Sequence, residues 1–198
     1  DEGSTSTGGL GRVAQGGITH HAQQAAWGWH ELAVPVIAAV HGVAFGAGIQ
    51  LAIACDIRIV HPEVRMSVLE IRWGLTPDMT CTQILPDLVG PDVAKELIWT
   101  GREVSGEEAV RIGLATRVCD EPLEGALELA ATVAARSPHA IRAGKRLIDA
   151  ATVVDYAAGF EMERREIAAL IGSPNQVESV DAFFEGRPPV YADVEADP

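Results

Sequence analysis

Cysteine is scarce in this sequence, and its spacing excludes two common ways of stabilising a small domain. The 198 residues include three cysteines, Cys55, Cys81 and Cys119, and none lies in a C-x-x-C pair. Neither a zinc site nor a disulfide framework is therefore predicted. Isolated cysteines are typical of a reducing compartment, so we expect the protein to be cytoplasmic.

Long apolar runs and clustered positive charge are also missing. No hydrophobic stretch approaches the roughly 20 residues that a membrane-spanning helix needs, and we expect no membrane partner. The formal net charge is −13 at pH 7, without a basic stripe to neutralise nucleic-acid phosphates. Nucleic acid is therefore excluded as an expected partner, and an anionic ligand would need a local basic pocket.

Aromatic residues make up only 5% of the chain, whereas hydrophobic residues make up 47% and are rich in Ala, Val, Ile and Leu. This composition is typical of an α/β protein. Residues 1–17 differ from the rest because Gly, Ser and Thr dominate them, and they predict a flexible loop.

Apolar patterning divides the remaining chain into an α/β part and a helical part that begins near residue 121. Short apolar runs predict buried strands at 36–40 and 57–60, and further short strands are predicted at 66–68 and 115–119. A buried helix is predicted at 49–55, and a short helix is predicted to end at Gly90. Further helices are predicted at 20–32, 94–99, 105–113, 123–136, 138–151, 153–172 and 175–185. Ser105, Ser137 and Ser173 are the predicted N-caps.

The strand at 36–40 leads into a helix through the turn Gly46-Ala47-Gly48. This turn lacks the Gly-Lys-Ser/Thr ending of a P-loop, and Leu51 occupies the third glycine position of a dinucleotide fingerprint. Free N–H groups at the positive end of a helix dipole fit an oxyanion hole. They fit equally well a turn whose glycines only permit close packing, and the spacing leaves both interpretations open.

Glu70 and Asp78 flank an apolar loop that is turned by Gly74 and Pro77. Two carboxylates that converge on an apolar cleft can differ in pKa and act as proton acceptor and proton donor. Taken alone, the pair is more simply interpreted as two solvated loop acids.

His20 and His21 are adjacent, so they would point to different faces of the helix predicted at 20–32. No third ligand stands at a fixed spacing from them, and we predict no metal site.

The segment PVIAAVHGVAFGAGIQLAIACDIRIV at 35–60 closely resembles the central segment of the crotonase, or enoyl-CoA hydratase/isomerase, family. The resemblance continues through EIRWGLTPD at 70–78 and ELIWTGREVSGEEAVRIGLATRV at 96–118, and into SPHAIRAGKRLI at 137–148. It covers about 165 of the 198 residues.

The resemblance implies an α/β spiral of strand-strand-helix units followed by a helical trimerisation region. Residues 18–120 would form the C-terminal part of the spiral core, and 121–198 would form homotrimers or dimers of trimers. The implied substrate is an acyl-CoA thioester, with coenzyme A as part of the substrate and no separate cofactor.

The resemblance also implies an oxyanion hole of two backbone N–H groups, the second of which falls at Ala47 in the turn formed with Gly46 and Gly48. Ala is acceptable there if the backbone angle tolerates a Cβ. Nothing in residues 1–35 matches the family segment that supplies the first donor. We therefore expect that donor and much of the coenzyme A pocket upstream of this chain, and turnover only when the upstream segment is present.

The family's two hydratase glutamates correspond to Gln50 and Glu70 in this sequence. Because Gln cannot transfer a proton at neutral pH, double-bond isomerisation is favoured over hydration. Asp78 stands where dienoyl-CoA isomerases carry an acid, and is expected to be the partner acid or to position a water. Gln50 would hydrogen-bond water or substrate, and Gly74 and Pro77 would support the loop.

Two alternatives remain open at this point. One is different thioester chemistry on the same fold, such as hydrolysis, dehalogenation or decarboxylation. The other is a non-catalytic scaffold relative.

Overall fold

The computed structural model describes Val13 and residues 17–194. The flexible loop predicted at 1–17 therefore lies outside the described residues, except for Val13 and Gly17. The described residues form two compact units. The first contains the residues up to Leu32 together with Val36–Ala126, and the second contains Ala33–Pro35 and the residues from Leu127 onward.

A parallel three-stranded sheet belongs to the first unit, with its strands in the order β1 (Ile37–Val40), β3 (Ile57–Val60) and β5 (Arg117–Val118). Strands β1 and β3 pair from Ile37 opposite Ile57 to Val40 opposite Val60. Parallel neighbours need a crossover connection, and the helix α2 (Ala47–Ile53) lies within it. The predicted order of strand, glycine turn, helix and strand is confirmed.

A second parallel sheet pairs β2 (Val43–Phe45) with β4 (Arg65–Ser67). The sequence predicts β4 but places only turns between β1 and α2, so β2 was missed. Its three residues are too few to give a periodic signal, and they become a strand because β4 supplies hydrogen-bonding partners from a distant part of the chain.

Arg58 is the exception in the otherwise apolar strand β3, since it is only 5% exposed. Its Nε donates to the carbonyl oxygen of Leu114 at 2.8 Å, and its Nη1 donates to that of Cys55 at 2.6 Å. Burial lowers the pKa of the Arg58 guanidinium. The two carbonyl acceptors offset the cost of removing this charge from water.

Helices complete the first unit: α1 (His21–His30), α3 (Cys81–Val89), α4 (Pro91–Thr100) and α5 (Gly106–Arg111), with a 3₁₀ helix at Glu70–Trp73. Ser105 caps α5 as predicted, by accepting the Glu108 N–H at 3.3 Å. The helix ends before the predicted Gly113, which has a φ of 84°. The largest buried apolar side chains include those of Ile49, Ile53, Met66, Leu85, Leu97 and Leu114.

The second unit is helical and contains α7 (Pro138–Ala150), α8 (Tyr156–Leu170), α9 (Pro174–Glu185) and most of α6 (Pro122–Ala134). The four predicted helices are confirmed within a few residues at each end. Ser173 caps α9 through Gln176 N–H at 3.4 Å, but Ser137 makes no capping bond, so that prediction is wrong. With a ψ of 116°, Ser137 departs from the more extended backbone of the capping serines Ser105 and Ser173. Within the described part of the chain, no helix combines the length and apolarity needed to span a bilayer.

Candidate functional site

Gln50 and Glu70 meet in the first unit, although the strands β3 and β4 separate them in the sequence. Gln50 lies on α2 and is 1% exposed, and Glu70 begins the 3₁₀ helix and is partly buried. The Gln50 Nε2 donates to Glu70 Oε1 at 2.7 Å. The structure therefore brings together the two positions that correspond to the family's glutamate pair.

A third group fixes the direction of this hydrogen bond. The backbone N–H of Met79 donates to Gln50 Oε1 at 2.9 Å. Because a backbone N–H can only donate, the amide oxygen must face Met79 and the amide NH₂ must face Glu70. Glu70 therefore receives a hydrogen bond at Oε1.

The second carboxylate oxygen of Glu70 is left without a partner. Oε2 is buried and accepts no hydrogen bond from the described residues. A buried carboxylate oxygen without a partner costs free energy, and such sites are commonly functional. Glu70 is thus anchored through one oxygen while the other remains available to take up a proton.

Cys81 lies close enough to Glu70 for the negative charge of that carboxylate to affect the pKa of the thiol. The thiol is fully buried, and burial, with a smaller contribution from the negative charge of Glu70, raises the pKa of Cys81 to about 12. The thiol therefore stays protonated at neutral pH and is not a nucleophile here.

The glycine turn sits directly beside the Glu70 carboxylate. Gly46 has φ 52° and ψ −114°, a conformation that favours glycine, and its N–H donates to the Ser67 carbonyl oxygen at 3.0 Å. A Cβ at this position would lie 3.4 Å from Glu70 Oε1. Gly48 makes no comparably close approach, since a Cβ there would stand 3.9 Å from the Ala44 side chain.

Ala47 is the first residue of α2 and is exposed. No hydrogen bond among the described residues uses its N–H. Ala47 is not among the residues with positive φ, so its backbone accepts a Cβ without strain, as the substitution of Ala for Gly requires. A helix-start N–H without an acceptor is a competent donor to a developing negative charge.

The loop carrying Asp78 reaches the site through its backbone. Pro77 is buried and Gly74 has a φ of 69°, whereas Asp78 is exposed. No hydrogen bond or ion pair of the described residues involves the Asp78 carboxylate. The structure thus brings the neighbouring Met79 N–H to Gln50, but it does not bring the Asp78 side chain into hydrogen-bonding contact with Glu70.

Two features of the site were missed by sequence reasoning. The Met79 N–H is a backbone group, which every residue but proline has, so no sequence signal distinguishes it. Thr80 has a φ of 75°, the one positive φ of a non-glycine residue in the described ranges, and its hydroxyl is buried without a partner. A β-branched residue in this conformation is strained, and strain of this kind clusters near functional sites.

The paired histidines have a structural explanation. The His20 ring accepts the Ala22 N–H at 3.2 Å, and the Gln23 side chain accepts the His20 N–H at 3.0 Å, which caps α1. Within the residues that the structure describes, no group of three His, Cys, Asp or Glu side chains could hold a metal ion.

Known proteins resemble this chain over most of its length. The enoyl-CoA hydratase/isomerase family model matches residues 6–194. The mitochondrial methylglutaconyl-CoA hydratase of Mus musculus is 37% identical over 166 residues, which are 81% of this chain and 53% of that protein. The mitochondrial enoyl-CoA hydratase domain-containing protein 2 of the same species is 39% identical, over 80% of this chain and 55% of that protein.

A solved structure also confirms the predicted fold class. The enoyl-CoA hydratase from Bacillus anthracis superposes with a TM-score of 0.83 at 35% identity, covering 86% of this chain and 67% of that one. The chain spans about half the length of the curated relatives it matches. Since both mouse relatives carry the word mitochondrial in their names, the cytoplasmic location stays a prediction.

Proposed function

Because the chain belongs to the enoyl-CoA hydratase/isomerase family, we propose that the protein containing it acts on enoyl-CoA thioesters, with Glu70 as the carboxylate that transfers the proton. The observation that carries this proposal is the amide of Gln50 donating to Glu70 Oε1 at 2.7 Å. That contact leaves a single titratable group where the family's hydratases have two.

The proposed reaction is migration of the double bond. Glu70 Oε2 removes a proton from one carbon of the acyl chain, and the electron pair passes into the thioester as an enolate. The same carboxyl group then returns the proton to the carbon two positions away, and the double bond shifts. The reaction is an isomerisation, so it needs no second acid and no co-reactant, and one carboxylate is sufficient.

Ala47 would stabilise the enolate. The residue is exposed, and its N–H takes part in no hydrogen bond of the described residues. One donor of this kind is typically worth about 3 kcal/mol of transition-state stabilisation. We propose that the first donor of the oxyanion hole comes from the part of the protein upstream of this chain.

Gln50 is proposed to hold the Glu70 carboxylate in place. Its N–H donates to Glu70 Oε1, and the Met79 N–H prevents the amide from turning its oxygen toward the carboxylate. Asp78, exposed on the adjoining loop, is proposed as the partner acid that exchanges protons with solvent or positions a water.

Hydration is the second candidate, because the similar proteins in mouse and in Bacillus anthracis are named hydratases. Water addition to an enoyl-CoA requires one group to activate the water and one to deliver a proton to Cα. Gln50 can orient a water but cannot accept its proton. Glu70 would have to perform both steps, which makes hydration the slower reaction in this proposal.

The proposed assembly is a homotrimer or a dimer of trimers formed through the helical unit, with no cofactor apart from the coenzyme A of the substrate. Large aromatic side chains on α8 and α9 support an interface, since Tyr156, Phe183 and Phe184 are 85%, 79% and 81% exposed. Sedimentation velocity should give a species larger than a monomer, and changing both phenylalanines to Ser should shift it toward monomer.

The test compares three substrates with the complete protein: a 3-enoyl-CoA, a 3,5-dienoyl-CoA and crotonyl-CoA. We expect turnover of the first two, and a loss of about a hundredfold or more in Glu70→Gln. Glu63→Gln is the matched control, because Glu63 is exposed in the same unit. Asp78→Asn should reduce turnover less than Glu70→Gln does.

The outcomes separate the candidates. Fast water addition to crotonyl-CoA with Gln50 in place would overturn the isomerase proposal in favour of hydration. Release of free coenzyme A would indicate thioester hydrolysis instead. If neither Glu70→Gln nor Asp78→Asn changes any acyl-CoA turnover, the non-catalytic alternative is supported.

A further inference from the structure

A cavity that involves neither Glu70 nor Asp78 is built from residues of the helical unit. It has a volume of about 240 Å³, which is room for several waters or a small ion. Side chains of α7 and α8 line it together with the start of α9, and the residues that matter are His139, Arg142, Arg146, Glu166 and Ser173.

Arg142 is the unusual member of this group. Its Nε is buried and has no hydrogen-bond partner among the described residues. No ion pair of the described residues involves its guanidinium either. A buried guanidinium N–H without an acceptor costs free energy, and this chain carries a net charge of −13, so carboxylates are plentiful elsewhere.

The neighbouring arginine is already satisfied. Arg146 pairs with Glu166 through two hydrogen bonds of 2.8 Å each, from Nε and from Nη2. This fork arrangement neutralises Glu166, the one carboxylate among the described side chains that line the cavity. The positive charge of Arg142 is therefore left without a counter-charge among the described lining residues.

The ring of His139 adds a hydrogen-bond donor. Asn175 is 3% exposed, and its Oδ1 accepts the Ala192 N–H at 2.9 Å, which fixes the orientation of the amide. The Asn175 Nδ2 must then donate to His139 Nδ1, at 2.9 Å. A ring that accepts at Nδ1 carries its proton on Nε2, so His139 is a donor through that nitrogen.

Ser173 contributes a further donor at the same cavity. Its Oγ accepts the Gln176 N–H at the start of α9, so the hydroxyl proton remains free to point elsewhere. The lining thus combines an uncompensated guanidinium with an imidazole N–H and a hydroxyl. All three donate to anions, and an arginine fork matches the planar oxygens of a carboxylate or phosphate.

We propose that this cavity is a binding site for a small oxyanion, a phosphate or carboxylate group, with Arg142 as its central ligand. The anion would accept from the guanidinium group of Arg142, which lines the cavity and makes no hydrogen bond among the described residues, and would supply the counter-charge that these residues do not. The site uses neither Glu70 nor Gln50, so the proposal stands apart from the acyl-CoA chemistry.

The experiment measures thermal unfolding and titration calorimetry of the complete protein with inorganic phosphate and, separately, with acetate, at constant ionic strength held by chloride. We expect a saturable rise in Tm with at least one of the two anions. Arg142→Met should weaken that binding by about tenfold or more, and Arg142→Lys, which keeps the charge but loses the fork, should weaken it less. Arg136→Met is the control, since Arg136 is exposed in the same unit.

Several results would overturn the proposal. The proposal fails if neither anion stabilises the wild-type protein more than chloride does, or if the stabilisation is equal in Arg142→Met and Arg136→Met. A rise in Tm of Arg142→Met without any added anion, and with an unchanged response to phosphate, would show that Arg142 is only an unsatisfied structural group. A response to acetate alone would assign the site to carboxylates, and a response to phosphate alone would assign it to phosphates.

Discussion

Replacing Gln50 by Glu would restore the family's carboxylate pair and test the contact on which the proposed function depends. The new carboxylate would face Glu70 at the 2.7 Å now spanned by a hydrogen bond. Two negative charges at that distance repel by about 6 kcal/mol at an effective dielectric constant of about 20. Protonating one of the two carboxyl groups avoids this repulsion. The free energy that protonation costs decides whether the folded variant takes up a proton.

That cost can be worked out from the unfolded state. A Glu carboxyl has a pKa of about 4.3 in the unfolded chain, so keeping one protonated at pH 7 costs about 4 kcal/mol, or about 1.4 kcal/mol per pH unit. Since this is less than the repulsion, the pair should share one proton when folded, which replaces the lost amide N–H as the donor to Glu70. The pair then titrates as a unit.

The free energy of unfolding of Gln50→Glu should decrease as the pH rises. The shared carboxyl has a folded-state pKa above its unfolded value, so the stability of Gln50→Glu is fully present below about pH 4.3 and is lost as the pH rises. Relative to wild type, we expect a loss of about 1 kcal/mol at pH 5 and of about 4 kcal/mol at pH 7. Urea unfolding at both pH values measures the difference.

Gln83→Glu is the control, because Gln83 is exposed on α3. It should change the free energy of unfolding by no more than about 0.5 kcal/mol at either pH. If Gln50→Glu is as stable as wild type at pH 7, or loses the same amount at both pH values, Gln50 and Glu70 are not in contact in solution and the single-carboxylate mechanism loses its basis.

Other predictions test the packing within each of the two units. Gly106→Ala should destabilise the protein by about 3 kcal/mol or more, because its Cβ would lie 2.1 Å from a backbone carbonyl oxygen. Gly144→Ala, also in a helix but with no atom within 4 Å, should stabilise it by about 0.5–1 kcal/mol; equal urea midpoints for the two variants would contradict this packing. Thr80→Val should raise the free energy of unfolding by about 1 kcal/mol by removing an unsatisfied hydroxyl, whereas the exposed Thr82→Val should not. Cys81, with a pKa of about 12, should be the slowest cysteine to react with iodoacetamide in the folded protein, and rapid labelling at pH 8 would show that it is not buried.

Much of the fold could be predicted because the relevant signals are local. The strand β1 is an unbroken apolar run, and β3 is apolar except for Arg58. The turn directly before α2 contains Gly46, whose φ of 52° favours glycine. Ser105 and Ser173 cap the helices that they precede. Each of these features depends on a few consecutive residues, so the sequence carries it directly.

The strand β2 and the failed cap at Ser137 show where local signals end. Three residues cannot be recognised as a strand until β4 lies beside them. Ser137 has the right side chain and precedes a proline, but its backbone angle leaves the hydroxyl without a capping bond. In both cases the outcome depends on the surrounding packing.

By itself the sequence determined the family, the order of the elements and the identity of the candidate acids. The sequence could not show which groups surround Glu70 in the folded protein. Gln50 and Glu70 lie on different elements, and their side chains meet only when the chain folds. The Met79 N–H, which orients the Gln50 amide, is a backbone group, so the residue type at this position does not predict the contact. Tertiary structure therefore decided that Glu70 has one anchored and one free oxygen, while Asp78 stays in solvent.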